Sequence, residues 1–166
     1  MTAPVEPPRA KRIALRLARA VVVAVVVLAL LSMTGTAPTN LGLSSGKLAP
    51  CPDSPNCVRS QATDPRHAIA PFALDRSFGA AKEELRQAAA KLARAKLISE
   101  SESYLRFEFR SLIFRFVDDV EFHLDAATKT IHIRSASRVG HSDFGVNRRR
   151  IEAIRVMLPE AMRQAP

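Results

Sequence analysis

Tryptophan is absent from this 166-residue chain, and tyrosine occurs once. Platforms that stack nucleobases need several exposed aromatic rings beside basic residues. No such interleaving occurs, so the reading includes no nucleic-acid partner. Cysteine is limited to Cys51 and Cys57. Five residues separate them, where a redox-active pair uses two. Haem attachment would need a histidine after the second cysteine, and Val58 stands there. Nothing nearby supplies further ligands for a metal, and no cofactor is implied. No cysteine closes the N-terminal apolar run, which leaves a lipidated anchor unsupported. Internal repeats and the glycine pattern of a nucleophile elbow are also missing.

What the chain does have begins at its N-terminal end. Arg9, Lys11, Arg12, Arg16 and Arg19 precede an unbroken apolar run from Ala20 to Leu31. Charge followed by grease is an export signal, with the basic side kept inside. The formal net charge is +9, but five bases and one acid fall in residues 1–19. The other 147 residues carry 20 bases and 15 acids. Much of the basic excess is therefore an orientation signal on top of an ordinary solvated surface. As a helix, Ala20–Met33 spans only ~21 Å, short of the ~30 Å hydrocarbon core. Arg16 and Arg19 can snorkel to one interface, and Thr34–Ala37 are mild enough to extend the other end. A cut after Ala37 would leave Pro38 at a new N-terminus, a poor peptidase context.

The reading is a basic cytoplasmic segment over 1–19 and a retained single-pass anchor or signal region over 20–37. A flexible Gly/Ser/Thr/Pro-rich linker follows over 38–50, then one extracytoplasmic domain over 51–164. A cleaved signal is the alternative to retention. The expected location is the inner (cytoplasmic) membrane, with the C-terminal domain periplasmic or otherwise extracytoplasmic. In an oxidising compartment Cys51 and Cys57 pair as a disulfide. Pro52 and Pro55 fix φ, and Asp53, Ser54 and Asn56 form turns, so the loop can close on itself.

Within the domain, His67–Phe72 reads as a short strand that Pro71 confines to an edge. Phe78, Ala81, Leu85, Ala88, Leu92 and Ala95 recur at helical spacing, which predicts a helix over 78–95 with Ser77 as N-cap. The period then becomes two: Leu105, Phe107 and Phe109; Val120, Phe122 and Leu124; Ile131 and Ile133. Keeping the apolar side chains on one face pairs His123 with His132 and Glu121 with Arg134. A terminal helix starts at Ser142 or Asp143 and runs to Met162 unless Pro159 ends it, with Ile151, Ile154, Leu158 and Ala161 buried. The fold class is α+β: a two-layer domain with an antiparallel sheet, both helices on its apolar face and a charged face opposite.

The densest polar cluster joins the last strand to the last helix and contains Arg138, Gly140, His141, Asp143, Asn147, Arg148 and Arg150. A helix start beside arginines is a natural anion site. The competing reading is structural: Asp143 caps the helix, Asn147 ties the loop, and the arginines pair with Asp118, Asp119 or Glu121. Strict alternation puts Asp118 on the apolar face beside Phe116 and Val120. A buried carboxylate there needs a bulge to turn it outward or an arginine such as Arg138 as a clasp. His123 and His132 alone make a weak metal site, with Glu121 needed as a third ligand, and a solvated face is the default. His141, Ser142 and Asp143 carry triad residue types, but neighbours in a turn do not form a relay. No catalytic residue is assigned.

LAPCPDSPNC (48–57), FVDDVEF (116–122) and RSASRVGHSDFGVNRRRIEAI (134–154) together resemble the domain-of-unknown-function family number 1499, over roughly residues 48–160. That family follows an N-terminal apolar segment and has no agreed activity. The resemblance therefore implies the domain and leaves the reaction open. The sequence favours a membrane-tethered, non-enzymatic binding module whose partner is an envelope protein or a small ligand. One alternative is a carrier of lipid or another apolar ligand in a cavity lined by Phe107, Phe109, Phe122 and Ile133. Another is an enzyme using the 138–150 cluster.

Overall fold

The computed structural model describes residues 8–33 and 35–165. Residues 1–7 of the expected cytoplasmic segment, and Thr34 of the expected anchor, lie outside the described residues. Helix α1 spans Arg9–Met33. Among the described residues no helix is long and apolar enough to cross a membrane.

The domain contains a two-stranded ribbon, β1 (Leu43–Ser44) and β2 (Lys47–Leu48), and a six-stranded antiparallel sheet. The sheet comprises β3 (Cys57–Arg59), β4 (Phe72–Ala73), β5 (Ala95–Glu100), β6 (Tyr104–Arg110), β7 (Val117–Asp125) and β8 (Thr130–Ser137). The order is β3-β8-β7-β6-β5, with β4 also paired to β8. Helices α2 (Phe78–Ala90) and α3 (Val146–Met157) share one core with the sheet's apolar face, and a 3₁₀ turn follows at Glu160–Met162.

β7 and β8 have the register expected from alternation, with His123 opposite His132 and Glu121 opposite Arg134, and the structure adds β6 with Leu105 opposite Phe122. The boundaries differ more. The Ser77 hydroxyl accepts from the Ala80 amide as expected, but α2 stops at Ala90 rather than Ala95. Arg94 adopts a left-handed φ of 62° and reverses the chain into β5. That edge strand lacks a clean period-two pattern because its register shifts between Leu97 and Ser99. The strand expected over His67–Phe72 is reduced to β4 and a single bridge from Ala68 to Arg59. The last helix starts at Val146 and ends at Met157, before Pro159.

The core removes the cavity expected of an apolar carrier. Phe107 meets Phe122 edge to face at 6.2 Å, and Phe72 stacks on Phe122 at 6.2 Å. Phe107, Phe109, Phe122 and Ile133 are all buried in the continuous cluster with Leu85, Ile151 and Ile154. Their side chains occupy the space a ligand would have needed. The disulfide forms between Cys51 and Cys57. The segment expected to be a free linker carries the β1–β2 ribbon and buries Leu48. Its second half therefore belongs to the folded unit.

Candidate functional site

The charged face of the sheet lies beneath the segment that follows α1. Alternation sends Tyr104, Arg106 and Glu108 of β6, Asp119, Glu121 and His123 of β7, and His132 and Arg134 of β8 to this side. A solvated face was expected, yet Asp119 and Glu121 are each 0 % exposed. Covering residues make the difference: β2 packs against β7 and β8, and the Gly42 amide donates to Glu121 Oε1 at 2.7 Å. Glu121 also accepts from the Tyr104 hydroxyl at 2.8 Å and from Arg134 Nη1 at 3.0 Å. Burial, reinforced by Glu121, raises the Tyr104 pKa, so its phenol stays protonated as the donor. Asp119 accepts from Arg106 at 3.0 Å and from Arg138 at 2.7 and 2.9 Å. Arg138 also bonds Glu108 and reaches the Gly35 carbonyl at 3.4 Å. Hydrogen bonding to Asp119 outweighs burial and raises the Arg138 pKa.

The helix-side cluster at the same sheet end is separate. Asp118 faces the core, as alternation requires, with no bulge in β7. Its partner is Arg150 at 2.5 Å, not Arg138. Arg138 leaves β8 on the opposite face, and Arg150, the fifth residue of α3, supplies the partner. Arg150 also lies over the Phe109 ring, 4.7 Å from its centroid. Buried Asn147 binds the surrounding elements together. Its Oδ1 accepts from Ser135 at 2.5 Å and Arg150 at 2.7 Å, and its Nδ2 donates to the Asn56 carbonyl and Ser137 Oγ, each at 3.0 Å.

The N-cap of α3 is Gly145 rather than Ser142 or Asp143, and Asp143 instead accepts from the Gly145 and Asn147 amides at 2.8 and 2.7 Å from two positions before it. Gly140 has φ 90°, and its carbonyl accepts from Asn56 at 2.6 Å. Arg148 donates to the Arg66 carbonyl, and His141 is exposed. The segment read as an anion site thus straddles the sheet end, and Arg138 and Arg150 turn to protein carboxylates on opposite faces. Together these contacts tie β8, α3 and the Asn56 loop to one another, a set of bonds called the clasp below.

The family model described as "Protein of unknown function (DUF1499)" matches residues 47–158. The chain belongs to the DUF1499 family. No curated protein matches it. The DUF1499 match takes in the disulfide, the charged face and the clasp, and its first residues fall in β2, which packs against β7 and β8.

Sequence reasoning missed Glu108, Arg106, Tyr104 and Asn56 as members of these networks. Alternation already places Tyr104, Arg106 and Glu108 on the charged face, but it does not name the strand or the side chains they meet there. Asn56 gave no signal, because its partners lie far away in sequence. His123 and His132 stack at 5.9 Å, while Glu121 is committed to Arg134, Tyr104 and Gly42. Among the described residues, no group of three or more His, Cys, Asp or Glu is placed to hold a metal.

Burial is the main cause holding both histidines below the ordinary imidazole pKa. His123 adds to the effect at His132, and Asp125 opposes it at both. The unfolded chain therefore binds more protons as pH drops through the ordinary histidine range near about 6.5. Their contribution to stability is complete above that range and is lost as pH falls below it. Urea unfolding of His123→Gln/His132→Gln should show a shallower loss of stability than wild type between about pH 7.5 and about pH 5.

Proposed function

We propose that this DUF1499 protein is a membrane-tethered extracytoplasmic domain that works by binding an envelope partner rather than by turning over a substrate. The observation that carries this reading is the surface of α1. Val21, Val22, Val23, Val25, Val26 and Val27 are all 40–62 % exposed, so apolar side chains face outward around the full circumference. Such a helix needs apolar surroundings on every side, and the domain core is complete without it. The apolar stretch alone is shorter than a bilayer core, and the long stems of Arg16 and Arg19 let their charged heads reach the interface. Basic residues on the N-terminal side favour an outward-facing domain, and a disulfide suits an oxidising compartment. Binding is favoured over chemistry because the polar groups of the clasp are turned to one another.

The test is membrane topology of the full chain expressed in cells. It should remain with carbonate-washed membranes, be digested by protease added outside the inner membrane, and resist thiol alkylation until reductant is added. A soluble or protease-protected chain with both thiols free would overturn the proposal.

A further inference from the structure

Resting on the tethered reading above, we infer that the sheet end next to α1 is a docking surface for an anionic phospholipid bilayer, the one into which α1 inserts. Gly35 is two residues beyond the end of α1, and its carbonyl accepts from Arg138 just past β8. The chain therefore leaves the helix at the sheet end formed by the start of β7, the β6–β7 hairpin and the loop before α3. Two residues reach at most about 7 Å, so this end lies close to where α1 stops.

That end presents its apolar side chains outward. Leu112 and Ile113 at the hairpin tip are each 69 % exposed, and Phe144 is 86 % exposed. Phe144 is also held at a left-handed φ of 53°, a conformation better suited to glycine. Neither packing nor local backbone preference accounts for a phenyl ring in that place; insertion among acyl chains does. Between the tips opens a cleft of about 460 Å³, lined by Leu92, Arg94, Phe109, Leu112, Val146 and Arg149 among others.

Positive charge predominates at this end. Asp118 is paired with Arg150, Glu108 with Arg110 and Arg138, and Asp119 with Arg106 and Arg138, while Asp143 accepts only from the neutral amides preceding and opening α3. Arg94 and Arg149 donate to backbone carbonyls, and Arg115 is exposed, so none of the three has a carboxylate partner among the described residues. Apolar tips ringed by unneutralised arginines match an interface of acyl chains beneath phosphate headgroups. The opposite end, at the β7–β8 hairpin, carries Asp125 and Lys129 and exposes Ala126 at its tip.

Because the chain has no tryptophan, one substitution supplies a clean probe. Full-length Phe144→Trp is reconstituted into vesicles of phosphatidylcholine with or without phosphatidylglycerol, using brominated acyl chains as quenchers. With phosphatidylglycerol, emission should shift to the blue and fall by roughly half or more. High salt, or Arg94→Glu/Arg149→Glu in the same background, should reverse most of that loss. Ala126→Trp at the far end should stay unquenched throughout. Flotation is measured in the same samples. A chain that floats with the vesicles but shows no quenching at Phe144→Trp, or equal quenching at both positions, overturns the docking surface and leaves the tether standing. A chain that does not float overturns the tether, and this inference with it.

Discussion

Asp119→Ala is expected to remove about 3–5 kcal/mol of folding stability, a large share of what a domain of this size possesses. Asp119 is wholly buried and is the common acceptor for Arg106 and Arg138. Truncating it leaves two guanidinium groups beneath a covered surface, with Glu108 as the remaining neighbour of Arg138. The cost arises from the uncompensated charges; the intact pair itself contributes much less, because both ions were desolvated to form it. Two measurements follow. The urea midpoint should drop sharply with little change in slope. Added salt should restore little, because the site is shielded from the ionic atmosphere. A loss below about 1 kcal/mol, the range of exposed ion pairs, would show that water reaches this face and that the covering segment does not stay in place.

Asn147→Ala should cost about 3 kcal/mol, more than a single helix residue at a chain junction ordinarily would. The side chain satisfies Ser135, Ser137, Arg150 and the Asn56 carbonyl together. Its removal orphans buried groups on β8, on α3 and on the loop beside the disulfide. It also frees Arg150, weakening that residue's hold on Asp118. Asn147→Asp keeps the acceptor but loses both donated bonds, so it should fall between wild type and alanine in thermal denaturation. If alanine at this position were neutral, the clasp would be an incidental packing of polar groups rather than what fixes α3 to the sheet.

The contrast between these two sites shows what the sequence could reveal. Alternation in Tyr104–Arg110, Val117–Asp125 and Thr130–Ser137 is sharp, so the inward face of each strand followed from it, as did the register of the last two, where a short turn joins them. The same rule placed Asp118 inward and left either a bulge or an arginine partner to resolve it, and the structure has the arginine. Choosing between Arg138 and Arg150 needed the trajectory after β8, which depends on Gly140 and Gly145, at φ 90° and 77°. Such turns leave no periodic trace. Burial of the charged face was harder still to read. It depends on residues 35–49, whose Gly, Ser, Thr and Pro composition resembles that of a solvated spacer. Their attachment rests on a few contacts distant in sequence, such as Gly42 with Glu121, 79 positions apart. Composition describes local preference and carries no information about such pairings.

The fastening of that segment has a mechanical consequence. Between α1 and the disulfide the chain is held at Gly35 by Arg138, at Gly42 by Glu121, and at Leu48 by burial and by Gln61. There is little slack to pay out. Tension applied through the helix would reach the central strands at the Glu121 and Arg138 attachments instead of first uncoiling a loose cord. A load on the helix would then be shared by the central strands of the sheet.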